Sequence, residues 1–188
     1  MRMARNLGLT TALAVATAYP AVASATDAAP ATAENEAVVA MPQNGLAIGM
    51  AGTWSGRGTV LPSFEQEKPF RVKCEFDVSG DESSVSLDGE CGALFVKRKV
   101  AVALTEGENG ITGTYDAALR TGIAELSGTK EGNTIDLEVN WGGEVNGDTE
   151  GTMVIERTGE NALRIVFRDV NPASGEEEVT TQFELTRG

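Results

Sequence analysis

From about residue 50 to the end of the chain, apolar and polar residues alternate with a period of two, the pattern of β-strands with one buried face. The clearest case is residues 70–78 (FRVKCEFDV), where the apolar residues share one face and the charged residues the other. Residues 133–141 repeat this pattern and end on Trp141. Further strands are predicted at 163–167 and 179–185, and weaker ones near 53–61, 84–91, 93–104, 111–117, 121–128 and 150–157.

Short glycine-containing turns separate these segments, as expected for hairpins. They are Gly80-Asp81, Asn109-Gly110, Glu131-Gly132-Asn133, Asn146-Gly147 and Gly159-Glu160-Asn161. The spacing leaves little room for crossover helices, so the sheet must be mostly antiparallel. We predict an all-β fold, namely an antiparallel up-and-down β-barrel of about 8–10 strands, which has no exposed edge strands. A two-sheet β-sandwich is the alternative, because periodicity does not distinguish the two.

The N-terminal residues 1–25 have the features of a cleavable signal peptide. Arg2 and Arg5 precede an apolar run that is too short for a membrane-spanning helix, and the segment ends in Ala-Ser-Ala. Residues 26–49 are mostly small and polar and predict a flexible leader, so the barrel domain is assigned to residues 50–188. Since no cysteine follows the apolar run closely, a lipoprotein is not expected. We expect a periplasmic or secreted protein that does not span the membrane.

The formal net charge is −13, and removal of the signal peptide would make it more negative. Binding to nucleic acid or to an anionic membrane needs a basic surface, so the overall charge argues against both. The acidic residues are concentrated after residue 99, and their simplest role is to keep the protein in solution.

The chain has two cysteines, Cys74 and Cys91, and in an exported protein such a pair is expected to form a disulfide. Pairing Val78 with Leu87 across the intervening loop places the two cysteines opposite each other. The same register lets Phe76 cover a glycine of the next strand. We predict a structural disulfide across a non-hydrogen-bonded pair, which closes a loop of about 18 residues and contributes about 3 kcal/mol.

The chain contains no histidine, which excludes Ser-His-Asp and Cys-His catalysis and imidazole-based haem or zinc sites. It also lacks a nucleophile elbow, a phosphate-binding loop and a dinucleotide-binding glycine motif. Asp169, Asn171 and Glu178 resemble part of a calcium loop, but Ala173 stands where an oxygen ligand is needed. We therefore expect no enzyme activity, no cofactor and no metal.

Arg98 lies in the densest basic cluster of the chain, Lys97-Arg98-Lys99, and shares its strand face with Val100 and Val102. If that face is interior, Arg98 is a candidate to hold the carboxylate or phosphate of a ligand. The alternative is that its guanidinium turns outward at the strand end or pairs with a carboxylate.

The first predicted strand begins with Gly52-Thr53-Trp54-Ser55-Gly56-Arg57-Gly58, which resembles the G-x-W signature of lipocalin and calycin barrels. The longer G-x-W-x-G-x-G form is similar to nitrobindin-type barrels. The resemblance implies that Trp54 closes the barrel floor and that Arg187, from the last strand, packs over it. Nitrobindin-type domains bind haem through a histidine, and this chain has none, so haem binding is not implied.

A second resemblance is to the small periplasmic metalloprotease inhibitors, which are also G-x-W barrels with an early disulfide. Those proteins place an N-terminal segment in the protease cleft, and residues 26–43 would supply it here. A plain tether is the simpler interpretation of these residues.

The leading hypothesis is a non-enzymatic exported barrel that binds a small apolar or amphipathic ligand in its interior. Arg98, Trp141 and Phe167 are the predicted ligand contacts. Several small residues either leave a cavity or fill a tight barrel; these are Gly113, Ala117, Ala118, Gly122, Ala124 and Gly128. The alternatives are an interaction protein, such as a protease inhibitor, and a structural envelope protein.

Overall fold

The computed structural model describes residues 45–47, 49–66 and 68–188, and within them the regular structure consists of ten β-strands. Each strand coincides with a segment predicted from the two-residue alternation. The strands are β1 (Gly52–Val60), β2 (Phe70–Gly80), β3 (Ser84–Ala93), β4 (Val96–Gly107), β5 (Gly110–Asp116), β6 (Ala124–Glu131), β7 (Thr134–Val145), β8 (Asp148–Gly159), β9 (Ala162–Val170) and β10 (Glu177–Arg187).

The strands form one closed antiparallel barrel in which every strand pairs with its neighbours in sequence. Closure comes from β1, which pairs with β2 on one side and with β10 on the other, so that Trp54 lies opposite both Phe76 and Arg187. The prediction of an all-β up-and-down barrel is confirmed, and the sandwich alternative is not the observed architecture. A closed barrel leaves no strand edge without a partner.

The two ends of the barrel carry different connections. We call one end the plugged end; it contains the hairpins β2–β3, β4–β5, β6–β7 and β8–β9, together with the start of β1 and the end of β10. We call the other end the open end; it contains the connections β1–β2, β3–β4, β5–β6, β7–β8 and β9–β10. The predicted Asn146-Gly147 turn joins β7 to β8, and both residues have positive φ (55° and 90°), as a tight two-residue hairpin requires.

One face of each strand supplies side chains to a single contiguous hydrophobic core. Two of the small residues on these faces, Gly113 and Gly128, lie where adjacent strands come close. A Cβ at Gly113 would lie 2.1 Å from the carbonyl oxygen of Ala103, and one at Gly128 would lie 2.0 Å from that of Asp136. These glycines allow neighbouring strands of the wall to approach closely.

The β2–β3 pairing has the predicted register, with Val78 opposite Leu87 and Cys74 opposite Cys91. The two cysteines form a disulfide, and their Cα atoms are 4.1 Å apart, which is the close spacing of a non-hydrogen-bonded pair. Phe76 covers Gly89, since a Cβ there would lie 2.7 Å from the Phe76 ring. The predicted disulfide is therefore confirmed.

The packed part of the chain begins earlier than the predicted boundary at residue 50. Leu46 and Ala47 are buried, and their amide groups donate to the carbonyl oxygens of Glu82 and Asp81 in the β2–β3 turn. Met50 N–H donates to the Ala47 carbonyl oxygen and closes a single turn. The signal peptide (1–25) and most of the predicted leader (26–44) lie outside the described residues.

No helix in the described part of the chain is long and apolar enough to cross a membrane. In the same residues, no group of three or more acidic, cysteine or histidine side chains is arranged to hold a metal ion.

Candidate functional site

The plugged end is closed around Trp54, whose side chain is fully buried at the start of β1. Its indole Nε1 donates a hydrogen bond of 2.6 Å to the carbonyl oxygen of Met50, and this bond holds the segment before β1 across the end of the barrel. Leu46 and Met50 are buried in the same core. Because the indole N–H has an acceptor, the whole ring can be buried at this end at little cost.

Arg187, near the end of β10, lies over the Trp54 ring with its guanidinium carbon 4.8 Å from the ring centroid. The guanidinium also donates to the carbonyl oxygen of Gly49. The cation–π contact with Trp54 and the hydrogen bond to Gly49 therefore connect the last strand to the segment before the first strand. The two residues assigned to the barrel floor are thus in direct contact.

At the open end, three aromatic side chains from different strands form one cluster. Tyr115 of β5 lies with its ring centroid 4.9 Å from that of Phe167 of β9 and 6.0 Å from that of Trp141 of β7. The rings of Trp141 and Phe167 are stacked, with centroids 6.0 Å apart. The structure therefore brings together two of the predicted ligand contacts, and adds a tyrosine that the sequence analysis did not select.

A buried carboxylate supports this cluster. Asp169 is only 2% exposed, and its Oδ1 accepts a hydrogen bond of 2.9 Å from Trp141 Nε1. Its Oδ2 accepts from Asn146 Nδ2 at 3.1 Å and from the hydroxyl of buried Thr180. A Cβ at Gly151 would lie 2.7 Å from Oδ1 of this carboxylate, so the glycine leaves the space that it occupies.

The hydrogen bonds of Asp169 fix the orientation of the Trp141 ring. Three donors satisfy a charge that would otherwise be costly to bury. Both oxygens accept from other groups of the barrel, while the side chain of Asn171 donates to Glu178. Of the residues that resembled a calcium loop, Asp169 is thus bonded to other strands and connections of the barrel, whereas Asn171 and Glu178 are bonded to each other.

Tyr115 is buried within the cluster, and this burial raises the pKa of its phenol far above the usual value. The negative charges of Asp116 and Asp169 raise it further. The phenol is therefore neutral at any physiological pH, and Tyr115 contributes an apolar ring with one polar group to the open end.

The mouth of the barrel at the open end is less completely covered than the plugged end. Four inward-facing apolar residues there are only partly buried, although they contact the core. They are Val60, Val72, Leu119 and Val145. At the plugged end, by contrast, Leu46, Ala47 and Met50 are buried.

Arg98 lies on the rim of the open end. It occupies the inward-facing register of β4, opposite Cys91, but its side chain is exposed. Its Nη1 donates a hydrogen bond of 3.1 Å to the carbonyl oxygen of Ala118 in the β5–β6 connection. No carboxylate of the described residues forms an ion pair with it. The guanidinium thus borders the mouth and keeps its positive charge.

Two concave surfaces lie on the outer side of the barrel wall. One crosses β10, β1, β2 and β3 and is lined mainly by charged side chains such as Arg57, Lys73 and Glu75. The other crosses β4 to β10, and half of its lining residues are threonines or acidic residues, among them Thr112 and Glu138. Both are lined largely by outward-facing side chains of the wall.

Sequence reasoning missed Tyr115 and Thr180, and it considered Asp169 only as part of a resemblance to a calcium loop. A signal for Asp169 was present, because it continues the buried face of Leu163, Ile165 and Phe167, and a carboxylate on such a face needs partners. Thr180 is buried because the β9–β10 register shifts between Val179 and Thr181. Alternation alone does not predict such a bulge.

No protein-family model matches the chain, and no curated protein matches it. Among solved structures, the chain is similar to Rv2717c from M. tuberculosis, with 16% identity and a TM-score of 0.51. The similarity covers 75% of this chain and 94% of that one. At this identity the similarity establishes the barrel fold alone.

Proposed function

We propose that this protein is an exported, non-enzymatic, lipocalin-like barrel that binds a small apolar or amphipathic molecule at its open end. The observation that supports this proposal is the asymmetry of the barrel. One end is closed by Leu46, Ala47, Met50 and Trp54, whereas apolar side chains at the other end remain partly exposed around the mouth.

We assign the binding site to the mouth rather than to the deep interior, because the inner faces of the strands form one contiguous cluster of buried apolar side chains. A ligand would therefore lie against the partly buried aliphatic residues of the mouth, near the buried cluster of Tyr115, Trp141 and Phe167. The packed rings would keep this apolar surface in a fixed shape, which lowers the entropy cost of binding.

The position of Arg98 supports an amphipathic ligand with an acidic group. The guanidinium lies on the rim, and one of its N–H groups donates to the carbonyl oxygen of Ala118, which leaves its other donors for a ligand. It forms no ion pair with a carboxylate of the described residues. Arginine binds carboxylates and phosphates through two parallel hydrogen bonds. We therefore infer an aliphatic carboxylate or phosphate whose head group lies at Arg98 and whose chain lies in the mouth.

The absence of enzyme activity is part of the proposal. The chain has no histidine, and the buried carboxylate at this end, Asp169, has its two oxygens occupied by three donors of the protein. A carboxylate held in this way positions Trp141 and has little freedom to take a proton from a substrate.

Native mass spectrometry of the protein purified from the cell envelope, followed by solvent extraction, tests the proposal. We expect an adduct with the mass of a small amphipathic molecule that is released on denaturation. Apo protein that also fails to bind a series of fatty acids and alkyl phosphates would contradict the proposed function.

A matched pair of probes tests the role of Arg98. A long-chain fatty acid and the alcohol of the same chain length should differ in affinity, and Arg98→Gln should weaken binding of the acid by about tenfold while leaving the alcohol unchanged. Arg120→Gln is the control, because Arg120 is an exposed arginine of the β5–β6 connection. Equal effects on acid and alcohol would remove the head-group assignment and leave apolar binding to be judged separately.

A further inference from the structure

The exposed large apolar side chains of the described residues all lie at the open end of the barrel. The most prominent are Leu94 and Phe95, which form the β3–β4 turn and are 98% and 100% exposed. The others are Phe70, Val96, Ile123 and Val179. Isolated exposed apolar residues are common on protein surfaces, but a cluster at one end marks an interaction site.

The β3–β4 hairpin places Leu94 and Phe95 beyond the end of the neighbouring strand β5. The pairing of β4 with β5 ends at Ala101 and Asp116, so the first part of β4, from Val96 to Val100, pairs with β3 alone. On the other side, the β2–β3 register places the start of β2, with exposed Phe70, beside the same turn. Leu94 has a positive φ of 54°, so the turn is tight.

Basic side chains surround this apolar tip. Lys97, Arg98 and Lys99 follow it directly in β4, and Lys68 and Arg71 flank Phe70. Lys97 forms an ion pair with Glu90, and the four others form no ion pair with the described residues. Three acidic residues, Glu65, Glu67 and Glu90, stand near these five basic ones in the sequence or the strand pairing, so the sector has a small positive charge, although the chain as a whole carries −13.

Most of the other acidic residues lie outside this sector, at both ends of the barrel. The turns of the plugged end carry Asp81, Glu82, Glu106, Glu108, Glu131 and Glu160. At the open end, Asp116 ends β5, Asp148 begins β8, and Glu177 and Glu178 begin β10. The β5–β6 connection also combines an exposed apolar and a basic residue, Ile123 and Arg120, but the sector from β2 to β4 has more of both kinds.

We propose that this sector, which we call the β2–β4 tip, docks the protein on an anionic phospholipid surface. Leu94 and Phe95 enter the interface between head groups and acyl chains, and Lys99, Lys68 and Arg71 contact lipid phosphates. Apolar insertion combined with a few basic contacts is sufficient for reversible membrane attachment. The acidic start of β10 requires a tilted orientation in which the β2–β4 tip faces the lipid.

This docking goes beyond the proposed ligand binding and does not depend on it. The overall negative charge argued against an anionic membrane partner. That argument treats the charge as uniform, whereas electrostatic attraction to a lipid surface decays within about 8–10 Å at physiological ionic strength. Only the charges near the contact therefore determine the attraction.

Sedimentation with unilamellar vesicles tests the proposal with the full exported chain. We expect binding to phosphatidylcholine vesicles that contain phosphatidylglycerol, weak binding to phosphatidylcholine alone, and weaker binding as salt is added. Leu94→Ser combined with Phe95→Ser should reduce the affinity at least about tenfold. Lys99→Glu should reduce it about fivefold or more. Val179→Ser is the matched control, since Val179 is an exposed apolar residue of the same rim outside the tip.

Phe95→Trp provides a direct readout of insertion. The two native tryptophans are buried, so the new indole is the only fully exposed one in the described structure, and its emission should shift to shorter wavelength when anionic vesicles are added. Absence of the shift together with absence of vesicle binding would overturn the proposal. Loss of a protein–protein complex in the double-serine variant, with no vesicle binding by the wild type, would show that the tip contacts a protein instead.

Discussion

The two ends of the barrel are formed by the same ten strands, but they are completed in different ways. At the plugged end, a segment outside the alternating pattern crosses the barrel, and Trp54 and Arg187 join its first and last strands. At the open end, aromatic rings and a buried carboxylate, Asp169, line the inner wall, and apolar side chains remain exposed on the rim. We therefore assign a stabilising role to the contacts of the plugged end and a role in recognition to the open end.

The comparison predicts that the largest loss of stability follows from a change at the plugged end. Trp54→Ala removes a fully buried indole, its hydrogen bond to Met50 and its contact with Arg187, and should lower the free energy of unfolding by about 3–5 kcal/mol. Denaturant unfolding followed by far-ultraviolet circular dichroism measures this. Thr53→Ala, at the exposed neighbouring position, is the control. A loss below about 1 kcal/mol would mean that the plug contributes little.

The disulfide stabilises the sector that carries the open rim from β2 to β4. Replacing both Cys74 and Cys91 with alanine should lower the free energy of unfolding by about 2–4 kcal/mol, chiefly because the unfolded chain is no longer restricted. The measurement compares denaturation midpoints of the double variant, the oxidised protein and the reduced protein. The double variant and the reduced protein should unfold at similar midpoints, and an unchanged midpoint on reduction would contradict a stabilising role.

Asp169 should matter for the open end more than an aspartate on the outer wall. Asp169→Ala leaves Trp141, Asn146 and Thr180 without their common acceptor and should cost about 1–3 kcal/mol. Asp136→Ala, on the exposed face of β7, is the matched control and should change stability by less than about 0.5 kcal/mol. Equal effects in the two variants would remove the structural role that we assign to the buried carboxylate.

The smallest effect concerns Tyr115 at alkaline pH. Burial raises the pKa of its phenol, so the folded protein retains a proton that the unfolded chain releases above pH of about 10. The free energy of unfolding should therefore decrease as the pH rises above that value, and more steeply than in Tyr115→Phe.

The sequence makes this titration simple to observe. The chain has two tyrosines, and Tyr19 lies in the predicted signal peptide, so the exported protein would contain Tyr115 alone. Its tyrosinate absorbance should appear only at a pH well above that of a free tyrosine. Titration at the ordinary value would contradict the buried environment of the open end.

Sequence periodicity predicted the barrel wall well because each strand has one buried face. The register of β2 and β3 also followed from it, since pairing Cys74 with Cys91 satisfied both the disulfide and the glycine at position 89. The plug was not predicted, because residues 45–50 show no alternation and are held by backbone hydrogen bonds to the next turn.

The candidate site was only partly predictable for the same kind of reason. Trp141 and Phe167 were found because large aromatic residues on a buried face are visible in the sequence. Thr180 faces the interior because of a bulge in β10, and Asp169 is held by partners that are distant in sequence. The alternation of apolar and polar residues contains no information on either feature. The positive charge of the β2–β4 tip was also hidden, because the net charge averages over the whole chain.

The two tryptophans, one at each end, allow the most direct test of the central claim that ligands bind at the open end. Trp54→Phe leaves Trp141 as the only fluorescent indole, and Trp141→Phe leaves Trp54. A nitroxide-labelled long-chain fatty acid, titrated into each variant after its fold is verified, should quench Trp141 with saturation and leave Trp54 almost unchanged. Equal quenching of both indoles, or quenching of Trp54 alone, would contradict binding at the open end.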